Sequence, residues 1–446
     1  MPLNKTTVKL NLQEFFFLAM EGVFASFGSV ITLRFKEMHS SEEIREAMRY
    51  MVKIYPRLRS LVEPTLCSYR IRILEDNDEK LETLFHDAFK VKETLKYDSN
   101  GYLDYRNRLL NKPFALEESL PIRFRYIPES PRPVLLLSVH HLVGDAVAVH
   151  HLFSSLLLYL NGQRPESVPL ENPGLLPAFL DRPYSVALMQ IIRSFKIFLK
   201  EIRESGKKTT ILASQRPATY YAPVHTYPHH LPFDLAIIKS ASKAIGCTVT
   251  VFFLAAVTTA FARRKDFRGG EIVRINVGVN LRPYFNGQSP IFGNYSTVFA
   301  INIPRELEKN PLGLIEEIKG QLTRNTNQIK NKEICFHMLL QKLFTFAGRK
   351  NVARIMRMAK RKGLFRSTCA VATVGNIDFL NSYGAKAQVC EAIGIAPNFQ
   401  LFIGQNSLDG KIFMEFSYSE AEFTLEEIKR FVQTLETSLG ELLHLR

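Results

Sequence analysis

The stretch from Val134 to Leu160 constrains the fold of this chain more than any other. Residues Val134–Val139 follow two nearby prolines and are an uninterrupted apolar run, which is typical of a buried strand. Residues Ala146–Leu160 are apolar on most sides and long enough for a helix. The residues between these two elements are His140, His141, Leu142, Val143, Gly144 and Asp145. The pattern predicts a strand that ends in two histidines, turns at a glycine and enters a helix at an aspartate, so polar groups would lie at the rim of a sheet.

These rim residues are candidates for chemistry. Histidine exchanges protons near neutral pH, so a rim histidine is a candidate general base for activating a hydroxyl or an amine. Asp145 is a candidate helix cap or partner of a basic side chain. Two other interpretations remain open: ordinary hydrogen-bonded histidines at a strand end, or a metal pair formed by His141 and Asp145. The sequence offers no further ligands at familiar spacing, so we predict no metal site.

Length, charge and cysteine usage limit the class of protein. At 446 residues the chain is too long for one ordinary core, which favours two domains of about 200 residues each. Its 58 basic and 43 acidic residues give a net charge of +15, which favours anionic partners: a phosphorylated cofactor, an acidic carrier protein or an anionic lipid surface. No nucleic-acid-binding motif accompanies this charge, so we expect no nucleic-acid partner.

The cysteines and the N-terminal segment favour a reducing compartment. The five cysteines are scattered and mostly lie in apolar runs, as expected of buried thiols: Cys67, Cys247, Cys335, Cys369 and Cys390. Glu14 and Glu21 interrupt the apolar segment near the N-terminus, and we recognise neither a signal peptide nor a membrane span. We therefore expect a cytoplasmic protein, with peripheral contact at the inner face of a membrane as an option.

A change in composition separates the two halves. Residues 161–183 are rich in proline and glycine, and Val186–Arg203 has the spacing of a basic amphipathic helix. Such a helix either lies on an anionic membrane or packs its apolar face on the protein. A second basic run, Arg349–Arg366, would meet CoA phosphates, a carrier protein or lipid, or is a solvated helix face. We predict an N-terminal lobe over 1–175, a linker with the amphipathic helix over 176–220 and a C-terminal lobe over 221–446.

The residues His140–Ala146 resemble the His-His-x-x-x-Asp-Gly signature of the CoA-dependent acyltransferase superfamily. This superfamily includes condensation domains of nonribosomal peptide synthesis, polyketide-associated acyltransferases, wax ester synthases and alcohol acetyltransferases. Further segments resemble family motifs in the family's order: Tyr55–Arg59, Asn280–Pro283, Phe292–Val298 and Thr373–Asn376. The chain departs from the signature at Ala146, where the family has glycine. Thr250 and Val251 replace the Asn-Asp pair of wax ester synthases, which counts against that subgroup.

The resemblance implies an α/β (α+β) protein of two chloramphenicol-acetyltransferase-like lobes. Each lobe would be a mostly antiparallel sheet covered by helices, and the lobes would form a V with a central channel. His141 would be the catalytic base, reached by the acyl thioester from one face and by the acceptor from the other. The resemblance also implies a monomer with no permanently bound cofactor.

The remaining site residues are implied by the same resemblance. His140, Gly144, Asp145 and Arg282 would have structural roles, and Gly293, Asn294 and Ser296 would lie near the substrate or the oxyanion. The implied reaction, in lipid or secondary metabolism, moves an acyl group from acyl-CoA or a phosphopantetheinyl carrier protein to a hydroxyl of a small-molecule or lipid acceptor. Two alternatives stay open: amide formation by a standalone condensation domain, and a catalytically silent binding scaffold.

Asp145 and Arg282 also allow a physical expectation. A carboxylate at a buried turn is costly unless it is paired, so we expect Arg282 to pair with it across the two lobes. Loss of either partner would then lower stability and activity together. Exchanging the two charges would restore part of the stability.

Overall fold

The computed structural model describes residues 6–23, 26–65, 68–170, 179, 184–205, 209–212, 222–264, 267–268, 270–285, 290–362, 364, 366–396 and 401–445. Its α-helices are Leu12–Met20, Ser41–Ile54, Glu79–Ala88, Asn100–Asn111, Ala146–Leu160, Tyr184–Ser205, Leu235–Ala244, Val249–Arg263, Pro311–Lys330, Cys335–Ala347, Arg349–Arg361 and Leu425–Leu443. Its strands are β1 Thr7–Lys9, β2 Gly28–Phe35, β3 Ser60–Pro64, β4 Tyr69–Ile73, β5 Phe89–Val91, β6 Ile122–Ile127, β7 Val134–His140, β8 Ile211–Leu212, β9 Val224–His230, β10 Phe267–Arg268, β11 Ile272–Asn280, β12 Ser296–Pro304, β13 Cys369–Asn376, β14 Val389–Ile395, β15 Phe402–Leu408 and β16 Lys411–Ser419.

Side-chain caps set where several helices begin. Ser40, Asp145, Thr248 and Thr424 each accept a hydrogen bond from a backbone N–H in the first turn of the helix that follows. Such caps satisfy N–H groups that have no partner within the helix. The predicted helix Ala146–Leu160 is confirmed at both ends, and the predicted strand before it extends one residue further, to His140.

The first lobe is built on a five-stranded sheet in the order β14-β2-β7-β6-β5. Strand β7 is buried along its whole length and pairs antiparallel with β2 on one side and β6 on the other. Helices Ser41–Ile54 and Ala146–Leu160 contribute to the core over this sheet, among them Ile44, Met48 and Leu152. Strands from the same half of the chain form a separate three-stranded sheet in the order β1-β4-β3.

The second lobe is built on a six-stranded sheet in the order β12-β11-β13-β15-β16-β9. Only the β11–β13 and β13–β15 neighbours are parallel, so the sheet is mostly antiparallel, like the first. Helices Val249–Arg263 and Leu425–Leu443 supply much of its core. The predicted fold class, two α/β lobes with mostly antiparallel sheets, is confirmed.

One strand crosses between the halves of the chain. Val389–Ile395 follows the second-lobe strand β13 in sequence but pairs antiparallel with β2 of the first sheet, from Val30 to Phe35. The division predicted at residues 175 and 221 did not anticipate this exchange. The first sheet is therefore completed by the C-terminal half, which ties the two lobes together.

Some of the cysteines and one of the most apolar helices are buried in the core. Cys335 and Cys369 are buried, Cys247 and Cys390 are half-buried, and Cys67 lies outside the described residues. Within the described ranges no single helix has the length and apolar composition to cross a membrane, although the bent pair Leu235–Ala244 and Val249–Arg263 passes that test jointly. The second helix of this pair is buried from Val251 to Ala262, as in the core of a folded domain.

Candidate active site

The turn from His140 to Asp145 is held tightly at the end of β7. The backbone N–H of His141 donates to the carbonyl of Phe27 at 2.9 Å, and that of Val143 donates to the carbonyl of His140 at 2.9 Å. Gly28 lies opposite His140 in the neighbouring strand. A side chain there would come within 2.6 Å of the Phe114 ring, which packs edge-on against His140. The turn thus has a fixed backbone, and the first histidine is fully buried against the Phe114 ring.

His140 is fully buried and is oriented by two hydrogen bonds. Its Nδ1 accepts the backbone N–H of Leu142 at 3.0 Å. A nitrogen that accepts carries no proton, so Nε2 carries it and faces Glu21 Oε2 at 3.3 Å. Both ring nitrogens of His140 are therefore occupied within the protein. This supports the structural role expected for His140.

Glu21 is a site residue that the sequence reading missed. Besides His140, its carboxylate accepts the backbone N–H groups of Phe27 and Phe114 and the hydroxyl of Ser26. Burial alone would raise the pKa of this carboxyl, but the contacts with His140, Phe27 and Ser26 outweigh it and lower the pKa below its usual range. The signal was present, because a glutamate inside an apolar segment needs a partner if it is buried.

His141 lies against an aromatic ring, with one of its nitrogens inside the protein. Its imidazole stacks on Phe17, with 4.9 Å between ring centroids. Its Nδ1 is buried and has no hydrogen-bond partner among the described residues. Burial, followed by the neighbouring His140, lowers the pKa of His141 to about 4, and the opposing effects of Asp145 and the Gly144 backbone are smaller. The ring is therefore neutral at pH 7 and able to accept a proton.

Asp145 and Arg282 form the ion pair expected from the sequence. Arg282 Nη1 donates to both carboxylate oxygens of Asp145, at 3.0 and 2.8 Å, and both side chains are buried. The same carboxylate also caps the helix through Ala148 N–H at 3.0 Å and accepts Tyr295 N–H at 2.8 Å. One buried aspartate therefore joins the histidine turn to the second lobe through two partners, Arg282 and Tyr295.

Arg282 has acceptors besides Asp145. Its Nε donates to Pro290 O at 2.9 Å and its Nη2 donates to Gly293 O at 2.9 Å. Exchanging the two charges would therefore place an aspartate against two carbonyls and an arginine against two N–H groups. We therefore expect the exchange to restore less stability than charge alone would predict, because each position is matched to its hydrogen-bonding neighbours as well as to the opposite charge.

The Gly293–Ser296 segment holds the histidine turn from the second lobe. Asn294 is buried, and its Nδ2 donates to the carbonyl of His141 at 3.0 Å. Ser296 Oγ donates to Asn294 Oδ1 at 3.0 Å. Gly293 has a φ of 149°, and its carbonyl accepts from the Asp145 backbone at 3.3 Å. Because the Asn294 amide is already bound to the turn, this geometry fits positioning of His141 better than contact with an oxyanion.

Gly144 and Ala146 differ in how much room they have. A side chain at Gly144 would come within 2.7 Å of the Ala148 Cβ, so this position requires glycine for the close approach of turn and helix. Ala146 is exposed. Its methyl group therefore does not crowd the first turn of the helix, although the family signature has glycine there.

The two histidines of helix Ala146–Leu160 have hydrogen-bond partners within the first lobe. His151 Nδ1 lies 2.7 Å from the hydroxyl of Tyr55, which also meets Ser155 at 2.7 Å, so His151 packs the helix against the Tyr55–Arg59 segment. His150 Nδ1 lies 2.6 Å from the carbonyl of Ala146. Among the described residues, no group of three or more histidines, cysteines and carboxylates is arranged to hold a metal ion.

Comparison with known proteins places this site in a family. The sequence model of the condensation domain matches residues 10–445, which is nearly the whole chain. No curated protein sequence matches the chain. Three similar solved structures carry the same fold.

These structures have low sequence identity to the chain and high coverage. Trichothecene 15-O-acetyltransferase TRI3 from Fusarium sporotrichioides is 11% identical, with a TM-score of 0.73 over 99% of this chain and 96% of its own. The first condensation domain of the CDA synthetase is 13% identical, with a TM-score of 0.71 over 98% and 96%. The EpoB cyclization-docking bidomain from Sorangium cellulosum is 13% identical, with a TM-score of 0.67 over 98% and 84%. At these identities the similarity shows the fold alone.

Proposed function

The chain belongs to the condensation-domain family, and we propose that it transfers an acyl group from a CoA or carrier-protein thioester to a hydroxyl acceptor. The observation that carries this proposal is His141, a neutral imidazole held at the junction of the two lobes. Its backbone is bound by Asn294, and the neighbouring Asp145 is bound by Arg282. The turn that bears the base is thus fixed from both lobes.

The proposed reaction needs one base and no acyl-enzyme. His141 takes the proton of the acceptor hydroxyl while the oxygen attacks the thioester carbonyl. The tetrahedral intermediate collapses to the ester and expels the thiolate. The same imidazolium returns its proton to the thiolate sulfur, so the thiol and the ester leave and the base is regenerated.

The surroundings of His141 suit this role. Nδ1 is buried, which leaves Nε2 as the nitrogen available to a substrate. A pKa of about 4 keeps the ring unprotonated at physiological pH, and stacking on Phe17 limits rotation of the ring. Positioning of this kind is a large part of what an enzyme contributes to a reaction between two bound groups.

A second candidate is amide formation with an amine acceptor and carrier-bound partners. It is favoured by the condensation-domain and cyclization-domain relatives, which belong to synthetases. The same base would serve, since an attacking amine also loses a proton. TRI3, an O-acetyltransferase by name, has the highest of the three TM-scores and covers this chain equally well, so the ester-forming reaction remains our first choice.

The test is turnover with pooled acceptors. Wild-type protein is incubated with acyl-CoAs of several chain lengths, or with loaded carrier protein, and with pooled alcohols and amines, and products are identified by mass. We expect His141→Ala to lower the rate by roughly 10²–10⁴-fold, the usual contribution of a general base. His86→Ala, an exposed histidine on another helix, is the matched control.

Four outcomes separate the candidates and test the role of His141. Ester formed from acyl-CoA and lost in His141→Ala supports the proposal. Products formed only with amines and a loaded carrier support the second candidate. Thioester binding without any turnover indicates a silent scaffold, and an unchanged rate in His141→Ala would show that His141 is not the base.

A further inference from the structure

Helix Tyr184–Ser205 presents its apolar face outward. Leu188, Ile192, Phe195 and Leu199 recur at the four-three-four spacing of one helix face, and all four are exposed, at 58%, 45%, 40% and 48%. We call these four residues the apolar row. With Met189, this helix carries more exposed large apolar side chains than any other described element.

The opposite face of the helix contacts the protein through small and polar groups and through Phe198, whose ring packs on Phe336 with 5.1 Å between centroids. Ala187, Gln190 and Ser194 are buried, and Ser194 Oγ accepts the backbone N–H of Phe336 at 2.9 Å. Glu201 faces His337 Nε2 at 3.1 Å. An ordinary surface helix buries most of its apolar face, as Ser41–Ile54 does here. The four residues of the apolar row therefore remain exposed, although the Phe195 ring also contacts Phe336, with 4.9 Å between centroids.

Basic side chains follow the same helix. Arg193, Lys196, Lys200 and Arg203 recur at three-four-three spacing and are exposed, which places them along one edge of the apolar row. Their carboxylate contacts are loose: Arg193 lies 3.4 Å from Glu333, and Lys200 lies 3.8 Å from Glu204. Exposed pairs of this kind contribute little stability, so the cations stay available to another anionic group.

We propose that the apolar row and its basic edge bind an anionic lipid surface. The row spans about 16 Å at about 1.5 Å per residue, so the helix can lie in the plane of a bilayer with the row among the acyl chains and the cations at the headgroups. A second copy of the chain is a poorer occupant, because it would bring two basic edges together. The chain's charge of +15 favours the same anionic surface.

The experiment measures vesicle binding by the full-length protein, without any substrate. Cosedimentation with phosphatidylcholine vesicles is compared with and without phosphatidylglycerol. Wild type is compared with the row variant, Ile192→Ser/Leu199→Ser, and with the lysine variant, Lys196→Gln/Lys200→Gln. The matched control is Ile237→Ser/Leu312→Ser, which removes two equally exposed apolar side chains on other helices. Circular dichroism checks that each variant is folded, and acyl transfer to a soluble acceptor is assayed separately.

We expect wild type and the control to bind anionic vesicles more tightly than neutral ones. The row variant should lose at least about tenfold in partition coefficient, and the lysine variant about tenfold on anionic vesicles alone. Wild type that stays in solution with anionic vesicles, or a row variant that binds like wild type, would overturn the proposal. Self-association that only the row variant abolishes would show instead that a second copy covers the row. Because vesicle binding is measured without turnover, its result is independent of whether the acyl-transfer proposal holds.

Discussion

Removal of either partner of the Asp145–Arg282 pair should destabilise the protein strongly. Both side chains are buried, and loss of one partner from a buried pair typically costs about 3–5 kcal/mol because the other charge remains unpaired. In Arg282→Ala the carboxylate keeps the N–H groups of Ala148 and Tyr295, so we expect the lower end, about 3 kcal/mol.

Asp145→Ala should cost more than Arg282→Ala. It removes the charged partner that accepts from the buried guanidinium and also removes the cap of helix Ala146–Leu160, worth about 1 kcal/mol, for a total of about 4 kcal/mol or more. Arg282→Lys keeps a charge but lacks the fork that reaches Pro290 O and Gly293 O, so an intermediate loss is expected. Acyl-transfer rates should fall in the same order, since the turn that bears His141 is held by these contacts.

The assay is urea denaturation of each variant followed by circular dichroism, with rates measured under native conditions. Arg193→Ala is the control, because that arginine forms only an exposed pair with Glu333 and should change the free energy of unfolding by less than about 0.5 kcal/mol. The exchanged variant Asp145→Arg/Arg282→Asp should be no more stable than the weaker single variant. An Asp145→Ala protein that unfolds like wild type, or an exchanged variant that is rescued, would refute this account of the pair.

The pH profile and Glu21 give two further predictions. Because its surroundings lower the pKa of His141 to about 4, kcat/KM should stay level from pH 8 down to about pH 5 and fall to half near pH 4, rather than near 6.5. A half-point near 6.5 in protein that is still folded would contradict this account of the base. Glu21→Gln should lower the free energy of unfolding by about 1–3 kcal/mol and lower the rate, since His140 loses its ionised partner. Glu82→Gln, at an exposed carboxylate, should do neither, and equal effects of the two substitutions would exclude the positioning role.

The sequence predicted the elements that repeat a local pattern. The strand and helix around the histidines followed from an apolar run and a helix-length apolar stretch, and their bounds held to within one residue. The Asp145–Arg282 pair followed from a motif together with the cost of burying a lone carboxylate. In both cases the deciding property, apolar periodicity or the cost of burying a charge, depends on a few residues whose identities are known from the sequence.

What the sequence could not predict depends on partners distant in the chain. Glu21 meets His140 across 119 positions, and nothing local indicates which polar group a buried glutamate will find. Periodicity showed that Val186–Arg203 is amphipathic, but it could not tell which face would pack. The packed face meets helix Cys335–Ala347, whose first turn supplies an N–H to Ser194, an imidazole to Glu201 and the Phe336 ring to Phe198.

The links between the lobes determine how substrates can reach His141. Besides the Asp145–Arg282 pair, the β14–β2 pairing joins the halves, and the buried Arg106 donates to Glu415 and Thr226 of the second sheet and to Val30 O of the first. A hinge motion that separated the lobes would have to break the Asp145–Arg282 and Arg106–Glu415 contacts together. We therefore expect substrates to reach His141, the proposed base, while these contacts between the lobes stay in place.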